Sequence, residues 1–509
     1  MTSTTLPATD RSRWTALYVL CVGMLMIVLD ATVVNVALPS IQDDLGFSPS
    51  SLAWVVNAYM IAFGGLLLLA GRLGDLIGRR SVLLTGLAVF TLASLVCGLA
   101  QNELTLVLAR FAQGIGGALT SAVILGMIVT MFSDPREQAK AIGVYAFVAS
   151  AGGAVGLLAG GLITESINWH WIFFINLPIG ILTALQVVRL LPRDRGIGFA
   201  NGADVPGATL ITSALMVGVY TIVKPAAENG WTAGSTLALG AVAVALLIGF
   251  IVRELTATTP LMPLSIFRSR NITGSNLVQI LSVAGMFGMF FLGSLYLQRI
   301  LGYNPLEIGL AFLPVTVVMG VLSLRYAERL VMRFGARRTL IPGLVLIGIG
   351  LLLFTRVPVD GHYLTDVMPS MVLLGIGGGL AFPVLMTLAM SGAAPSEAGL
   401  ASGLINTTAQ VGGALGLAVL ATLSASRNEH LLARGISAAH ATTNGYHLAF
   451  WIAAGLVAAS IIVALTVLQP PASADHQAGS DASDAVQASD TDDDKDSPTQ
   501  QGELAVATP

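Results

Sequence analysis

The sequence predicts an all-α polytopic membrane protein with fourteen spans, and three observations carry that prediction. The composition is the first: 55% of the 509 residues are apolar, 10% are charged and the mean hydropathy is +0.80. Only a bilayer suits such a chain as solvent. Second, apolar runs of the ~20 residues that a crossing helix requires recur from Trp14 to Leu468 with short polar breaks between them. Third, the basic residues alternate between breaks. Nineteen of the 25 Lys and Arg fall in one set of loops and termini, five in the other, and Arg110 alone lies inside a span. Positive charge is retained on the cytoplasmic side, so both termini are predicted to be cytoplasmic.

In order, the spans are read at 14–38, 51–70, 82–100, 104–131, 140–163, 171–190, 205–223, 233–252, 273–298, 307–327, 340–356, 367–390, 398–423 and 447–468. The first is long, is interrupted by Asp30 and is followed by many others, so it reads as a span and not as a cleaved signal. Cys21 and Cys97 both sit in apolar runs, which supplies neither a disulfide framework nor a metal-ligand set. After Pro470 a Ser, Asp, Gln and Ala-rich tail carries nine acidic residues against Lys495. It cannot bury enough apolar surface to order itself. The whole-chain charge of -3 therefore hides a net positive membrane portion and says nothing about substrates.

An internal repeat organises the spans. Arg72-Leu73 followed by Gly78 recurs as Arg329-Leu330 followed by Gly335, each in a hairpin on the basic side. The hairpins join spans 2 and 3 and spans 10 and 11, which makes spans 7 and 8 an insertion between six-helix halves. Parallel repeats of this kind characterise one large transporter superfamily. The chain accordingly divides into a cytoplasmic segment 1–13, a six-helix bundle 14–190, two inserted spans with flanking loops 191–272, a second six-helix bundle 273–469 and the acidic tail 470–509.

Four motifs stand out: Leu29-Asp30-Ala31-Thr32-Val33-Val34-Asn35 and onward to Pro39 in span 1, the stretch from Gly71 to Arg80 after span 2, Arg110 with Gln113-Gly114 in span 4, and the span 5 series Gly143, Gly152, Gly156, Gly160 and Gly161. Over about residues 14 to 470 the chain resembles a fourteen-span drug:proton antiporter of the major facilitator superfamily, of the EmrB/QacA type. That resemblance implies two six-helix bundles plus two inserted helices, no cofactor, and a monomer that exchanges a small-molecule substrate for protons across the lipid bilayer.

Asp30 lies ~12 Å and Arg110 ~10 Å from the outer ends of their helices. Burying such an acid costs ~2.5–3.5 kcal/mol even on the lenient insertion scale. Proton carriage is the functional reading, with Arg110 as partner; local bonding of Asp30 to hydroxyls and outward snorkelling of Arg110 are the alternatives. The resemblance makes Arg72, Asp75, Arg79 and Arg80 a gating motif across the cytoplasmic face, although the arginines also serve as topology markers. It makes the span 5 glycines an antiporter signature, with Leu157 where the family has proline, so that a backbone amide is kept; ordinary helix packing would use small residues in the same way. Asn35, Trp54, Asn57, Tyr59, Gln113, Tyr296, Asn406 and Gln410 are candidates for a substrate cavity, and Asn176 and Pro178 resemble recurrent family positions. Each could equally be interhelical glue.

Other functions find little support. The only lysines are Lys140, Lys224 and Lys495, so no phosphate-binding loop ends in Gly-Lys-Ser or Gly-Lys-Thr. His170, His362, His430, His440, His447 and His476 fall in loops, at span ends or in the tail, which disfavours an intramembrane metalloenzyme. Neither an enzyme nor a nucleic-acid partner is expected, and no metal. A proton-coupled exporter of small hydrophobic or cationic compounds such as drugs, antibiotics and antiseptics is the expectation. A dedicated exporter of one biosynthetic metabolite and a non-transporting membrane sensor stay open as alternatives.

Overall fold

The computed structural model describes residues 10–48, 50–132, 134–192, 194, 196, 198, 204–223, 230–391 and 398–469. The acidic tail expected at 470–509 lies outside them. Fourteen long helices follow in chain order: α1 Asp10–Leu45, α2 Trp54–Ile77, α3 Arg79–Gly98, α4 Glu103–Met131, α5 Pro135–Ser166, α6 Asn176–Leu190, α7 Val205–Val223, α8 Gly234–Thr256, α9 Arg270–Arg299, α10 Pro305–Arg325, α11 Ala336–Phe354, α12 Met368–Ser391, α13 Ala398–Ala433 and α14 Ala438–Thr466. Among the described residues, thirteen stretches are long and apolar enough to cross a membrane. The remaining expected span lies in α5, a 32-residue helix whose apolar stretch among those residues is Val155–Ser166.

Local chemistry sets several helix ends. Asn102 starts α4 by accepting the Thr105 N–H. Asn304 and Glu307 form a reciprocal capping box at the head of α10, with Pro305 at its first position, where a missing N–H costs nothing. Gly78 and Gly335 occupy equivalent places in the two hairpins at φ 96° and φ 85°, a conformation in which a Cβ would be strained.

The helices pair with a repeating logic. In the first half α1 packs on α5 and α6, α2 on α4, and α3 on α4 and α6; in the second, α9 packs on α13 and α14, α10 on α12, and α11 on α12 and α14. Adding eight to each of these helix numbers converts one set into the other; the second half adds a packing of α13 on α14. The same operation exchanges the two main contacts between halves, α5 with α10 and α2 with α13. Inserted helices α7 and α8 pack on each other, and α7 alone of the two leans on α2 and α13. This exchange symmetry is what two copies of one six-helix unit produce.

Candidate functional site

The two helix ends of the assembly differ. One carries the Arg72 to Arg80 hairpin, its repeat and the short helix Ala327–Phe334, and is called here the arginine-rich end; the other carries Leu45, Arg299 and Pro305. Between them, inside the first half, three helices meet at one carboxylate: α1, which carries it, and α4 and α6, which donate to it. Asp30 on α1 is 2% exposed and Arg110 on α4 is 1% exposed. Arg110 Nη1 donates to Asp30 Oδ2 at 2.5 Å. Gln113 Nε2 and Asn176 Nδ2 donate to Asp30 Oδ1 at 2.7 and 3.0 Å.

A second ring of contacts holds those donors. Gln113 Oε1 accepts from Arg110 Nη1 at 2.6 Å and from Cys97 Sγ at 3.7 Å. The Ser94 hydroxyl accepts from Gln113 and Asn176 and donates to the Phe90 carbonyl. Arg110 Nε donates to the Val55 carbonyl of α2 at 2.9 Å, and its guanidinium lies 4.4 Å from the Tyr59 ring centre and 5.8 Å from that of Phe173. Every hydrogen bond at Asp30 is donated to it. Its three donors leave one of the roughly four acceptor sites of the carboxylate unfilled among the described residues.

The glycine series sets where α1 sits. A Cβ on Gly156 would collide with Thr32 Oγ1, one on Gly160 would come within 3.0 Å of the Val33 backbone, and one on Gly152 within 3.0 Å of Leu25 and Val28. These three face α1, Asp30's own helix. Gly161 faces the other way, where a Cβ would lie 2.6 Å from the Pro305 carbonyl of α10. Leu157 is buried, and its carbonyl sits 2.5 Å from where a Cβ on Gly309 of α10 would be. Helix α5 is thus a wedge between the charged centre and the second half, and it runs unbroken through Leu157. Gly143 lies on α5, and its surroundings fall outside the described residues.

The hairpin arginines bind within the first half. Arg79 Nη1 donates to the Gly126 carbonyl of α4 at 2.9 Å, and Arg80 Nη2 to the Val188 carbonyl of α6 at 2.7 Å. Asp194, which sequence reasoning missed, accepts the backbone N–H of Arg79 at 2.5 Å and of Arg80 at 3.1 Å, an anion on the positive end of α3. Arg337 in the second half donates to the Leu465 carbonyl of α14, which repeats the Arg80 contact. Arg72 is half-buried. The side chain of Asp75, the acid of the motif, lies outside the described residues.

The proposed cavity residues divide. Gln113 belongs to the charged centre, and Tyr59 packs on Arg110. Asn57 is fully buried, and neither atom of its amide has a hydrogen-bond partner among the described residues. Tyr296 is buried in the second half with its hydroxyl donating to the Pro358 carbonyl at 2.7 Å, away from the others. Asn35, Trp54 and Gln410 are half-buried and Asn406 is exposed. Asn406 lies two turns below Gly413, whose neighbours are Met60 of α2 and Phe287 of α9, so it shares the face of α13 turned to both halves. Ser94 and Cys97 were not foreseen, because a serine or cysteine in an apolar span carries no distinguishing pattern.

An ion pair crosses between the halves at the end opposite the arginines: Arg299 of α9 binds Asp43 of α1 and reaches Gln42 at 3.2 Å. Beside it lies a cleft of about 520 Å³ whose polar lining includes Gln42, Ser424, Asn428, Thr442 and Tyr446.

Comparison with known proteins adds three kinds of likeness. A family model described as Major Facilitator Superfamily matches residues 20–417. The puromycin resistance protein of Streptomyces alboniger is 41% identical over 477 residues, spanning 92% of this chain and 94% of that one. The cephamycin export protein of Amycolatopsis lactamdurans is 40% identical over 415 residues, 81% of this chain and 85% of that one. The lincomycin resistance protein of Streptomyces lincolnensis is 37% identical over 423 residues, 82% and 86% of the two chains. Among solved structures, a bacterial homolog of the human lysosomal transporter Spinster, inward-facing and unoccupied, superposes with a TM-score of 0.64 at 16% identity, over 91% of this chain and 100% of that one. The human organic anion transporter MFSD10 (TETRAN) gives 0.56 at 16% identity, over 87% and 99%. At that identity the structural likeness concerns the fold alone.

Proposed function

The chain belongs to the Major Facilitator Superfamily, and from that membership we propose that it is a proton-coupled exporter of small hydrophobic or cationic compounds, antibiotics among them. It moves its substrate unchanged, so no catalytic step is assigned. The observation that carries the reading is the Asp30–Arg110 pair, two charges buried together in a span interior, where ionisable residues mark ion and proton pathways. The names of its relatives, which speak of resistance to or export of puromycin, cephamycin and lincomycin, supply the substrate class.

The mechanism is alternating access, with the six-helix halves rocking about a central site. Opening one end draws α5 and α1 with it through the Gly152, Gly156 and Gly160 contact, and that motion separates Asp30 from its donors. A proton then neutralises Asp30; its loss on the other side lets Arg110, Gln113 and Asn176 close on the carboxylate again. The contacts of Gly161 and Leu157 with α10 and the Asp43–Arg299 pair close the end opposite the arginines. The charge asymmetry assigns the arginine-rich end to the cytoplasm, with both termini there, in a bacterial inner membrane. The protein acts as a monomer, with α7 and α8 outside the moving halves.

Because each named relative is associated with a single antibiotic, a narrow substrate range is the second reading. The test is efflux from a pump-deficient host and from proteoliposomes, using puromycin, a fluorescent dye and an antiseptic cation, with Asp30→Asn beside the native protein. Native efflux driven by a proton gradient and abolished in the variant at normal expression is the expected result. Full efflux by Asp30→Asn would remove the proton assignment, and efflux of puromycin alone would select the narrow reading.

A further inference from the structure

Outside the charged centre, only two buried acids remain among the described residues, and they face each other. Asp204 stands at the head of α7 with its side chain wholly buried; Glu254, near the end of α8, is 4% exposed. Asp204 Oδ1 accepts the Gly207 N–H at 3.1 Å and Arg253 Nε at 2.9 Å. Glu254 Oε2 accepts the Met262 N–H at 2.9 Å. The second oxygen of each, Asp204 Oδ2 and Glu254 Oε1, has no partner among the described residues. Both point at one place: a Cβ built on Gly207 would lie 2.5 Å from the former and 3.1 Å from the latter. Glycine leaves that gap open.

We propose that Asp204 and Glu254 together bind one proton, a protonation site separate from Asp30, and that this proton governs how firmly residues 257–269 grip the arginine-rich end. Two carboxylates sharing a desolvated site cannot both ionise cheaply. One proton held between them would remove the repulsion, and the two oxygens without partners are the ones that flank the Gly207 gap. The surrounding charges are few. Arg253 on α8 engages Asp204 from a 42% exposed position, and on α2 Arg72 falls two turns from Gly65, on the face that meets Thr212 of α7. One guanidinium bonded to one oxygen does not neutralise two acids.

The link to the 257–269 segment is the Met262 N–H. Met262 and Ile266 pack with Leu404 and Ile272, and with Leu68 of α2 and Met390 of α12, so the segment ties both halves together beside the α2 and α13 seam. Loss of the shared proton would drive Asp204 and Glu254 apart, moving the α8 end and the Met262 anchor with it. The inserted helices then act as a proton-sensitive strap on the arginine-rich end. This stands on its own geometry and survives even if Asp30 carries no proton.

Two measurements on the purified full-length protein in lipid nanodiscs test it. In the first, infrared spectroscopy follows the carbonyl stretch of a protonated carboxylic acid across pH. The native protein and Asp30→Asn should both show such a band, titrating away on alkalinisation, and both Asp204→Asn and Glu254→Gln should lack it. A native protein without the band, or a band that persists in both variants, overturns the shared proton. In the second, a thiol reagent labels Ile266→Cys and, as an exposed reference, Ser265→Cys; Cys21 and Cys97 are buried and give little background. The ratio of the two rates should rise about tenfold as the pair loses its proton, and should stay flat with pH when Glu254→Gln is added. A flat ratio in the native background overturns the strap.

Discussion

Helices α1–α6 and α9–α14 pair in the same pattern, yet Asp30 and Arg110 are buried in the first set, while the second buries no Asp, Glu, Lys or Arg among the described residues. In the second half the interior is filled by aromatic contacts instead, such as Phe290 with Phe312 at 5.4 Å and Phe354 with Phe450 at 5.1 Å. Even the glycines are shared: Gly412 and Gly416 bring α13 against Ile280 and Ala284 of α9, as Gly156 and Gly160 bring α5 against α1. A scaffold that packs without charge in one copy has no structural need of it in the other. A buried ion pair is in any case weak support for stability. The charge in the first half is the feature on which the proposed transport reading rests.

The largest effect should come from setting the two interiors against each other. Arg110→Leu leaves Asp30 buried without its cation, at a cost of ~3–5 kcal/mol, and should abolish transport even in the fraction that folds. Phe450→Ala should cost a similar ~3–5 kcal/mol through the cavity it opens, yet keep the turnover per folded molecule. Thermal unfolding and proteoliposome efflux, read on the same samples, separate the two. If Phe450→Ala stops transport at full folding, the division of labour between the halves is wrong.

A smaller contrast sharpens the role of α5. Proline inside a helix costs ~3 kcal/mol or more, and Leu87→Pro in α3, at a fully buried site, should lower expression accordingly. Leu157→Pro should be tolerated better, because space is open around Gly153, where a built Cβ meets nothing within 4 Å, and the neighbouring glycines can absorb a bend. Expression and efflux of the pair measure it. Equal losses in both would mean that α5 here is committed to a straight course against α10.

The smallest effect concerns the hairpins. The first N–H groups of α3 bind Asp194, whereas those of α11 bind no side chain among the described residues. Asp194→Ala should make the first hairpin like the second, costing about 1 kcal/mol as a modest fall in the unfolding midpoint. Efflux should slow only slightly. A large loss of transport would give Asp194 a part in gating beyond the cap.

Helix number, order and the repeat were legible because twenty-residue apolar runs and alternating arginines are dictated by the bilayer, whatever the tertiary detail. The helices overshoot several predicted spans, as α13 does by ending at Ala433, since helix continues past the hydrocarbon where polarity no longer marks it. The matched depths of Asp30 and Arg110 allowed their pairing without excluding outward snorkelling, and the fold selects the pair. Gln113 was taken for a cavity residue, and its place beside Asp30 follows from one helical turn's separation from Arg110, a spacing that fits either role. Tyr296 reads from sequence as an aromatic near a helix end, and only the fold places the Pro358 carbonyl against it. Asp194 and Asp204 lie in loops rich in charge, where no periodicity distinguishes a cap from a solvated side chain.

The separation between Asp30 and Arg110 has a consequence for how the protein is made. Arg110 follows Asp30 by 80 positions, so at 5–20 residues per second the ribosome delivers the arginine roughly 4–16 s after the aspartate. Through that interval α1 carries its acid without the counter-charge, and burying an unpaired charge is costly. Asn176 arrives later still, 146 residues after Asp30, and α6 completes the carboxylate's shell only when the whole first half has been synthesised. Assembly of this half is thus timed by its last helix, and a truncation that ends before α6 should be retained by the biogenesis apparatus or degraded.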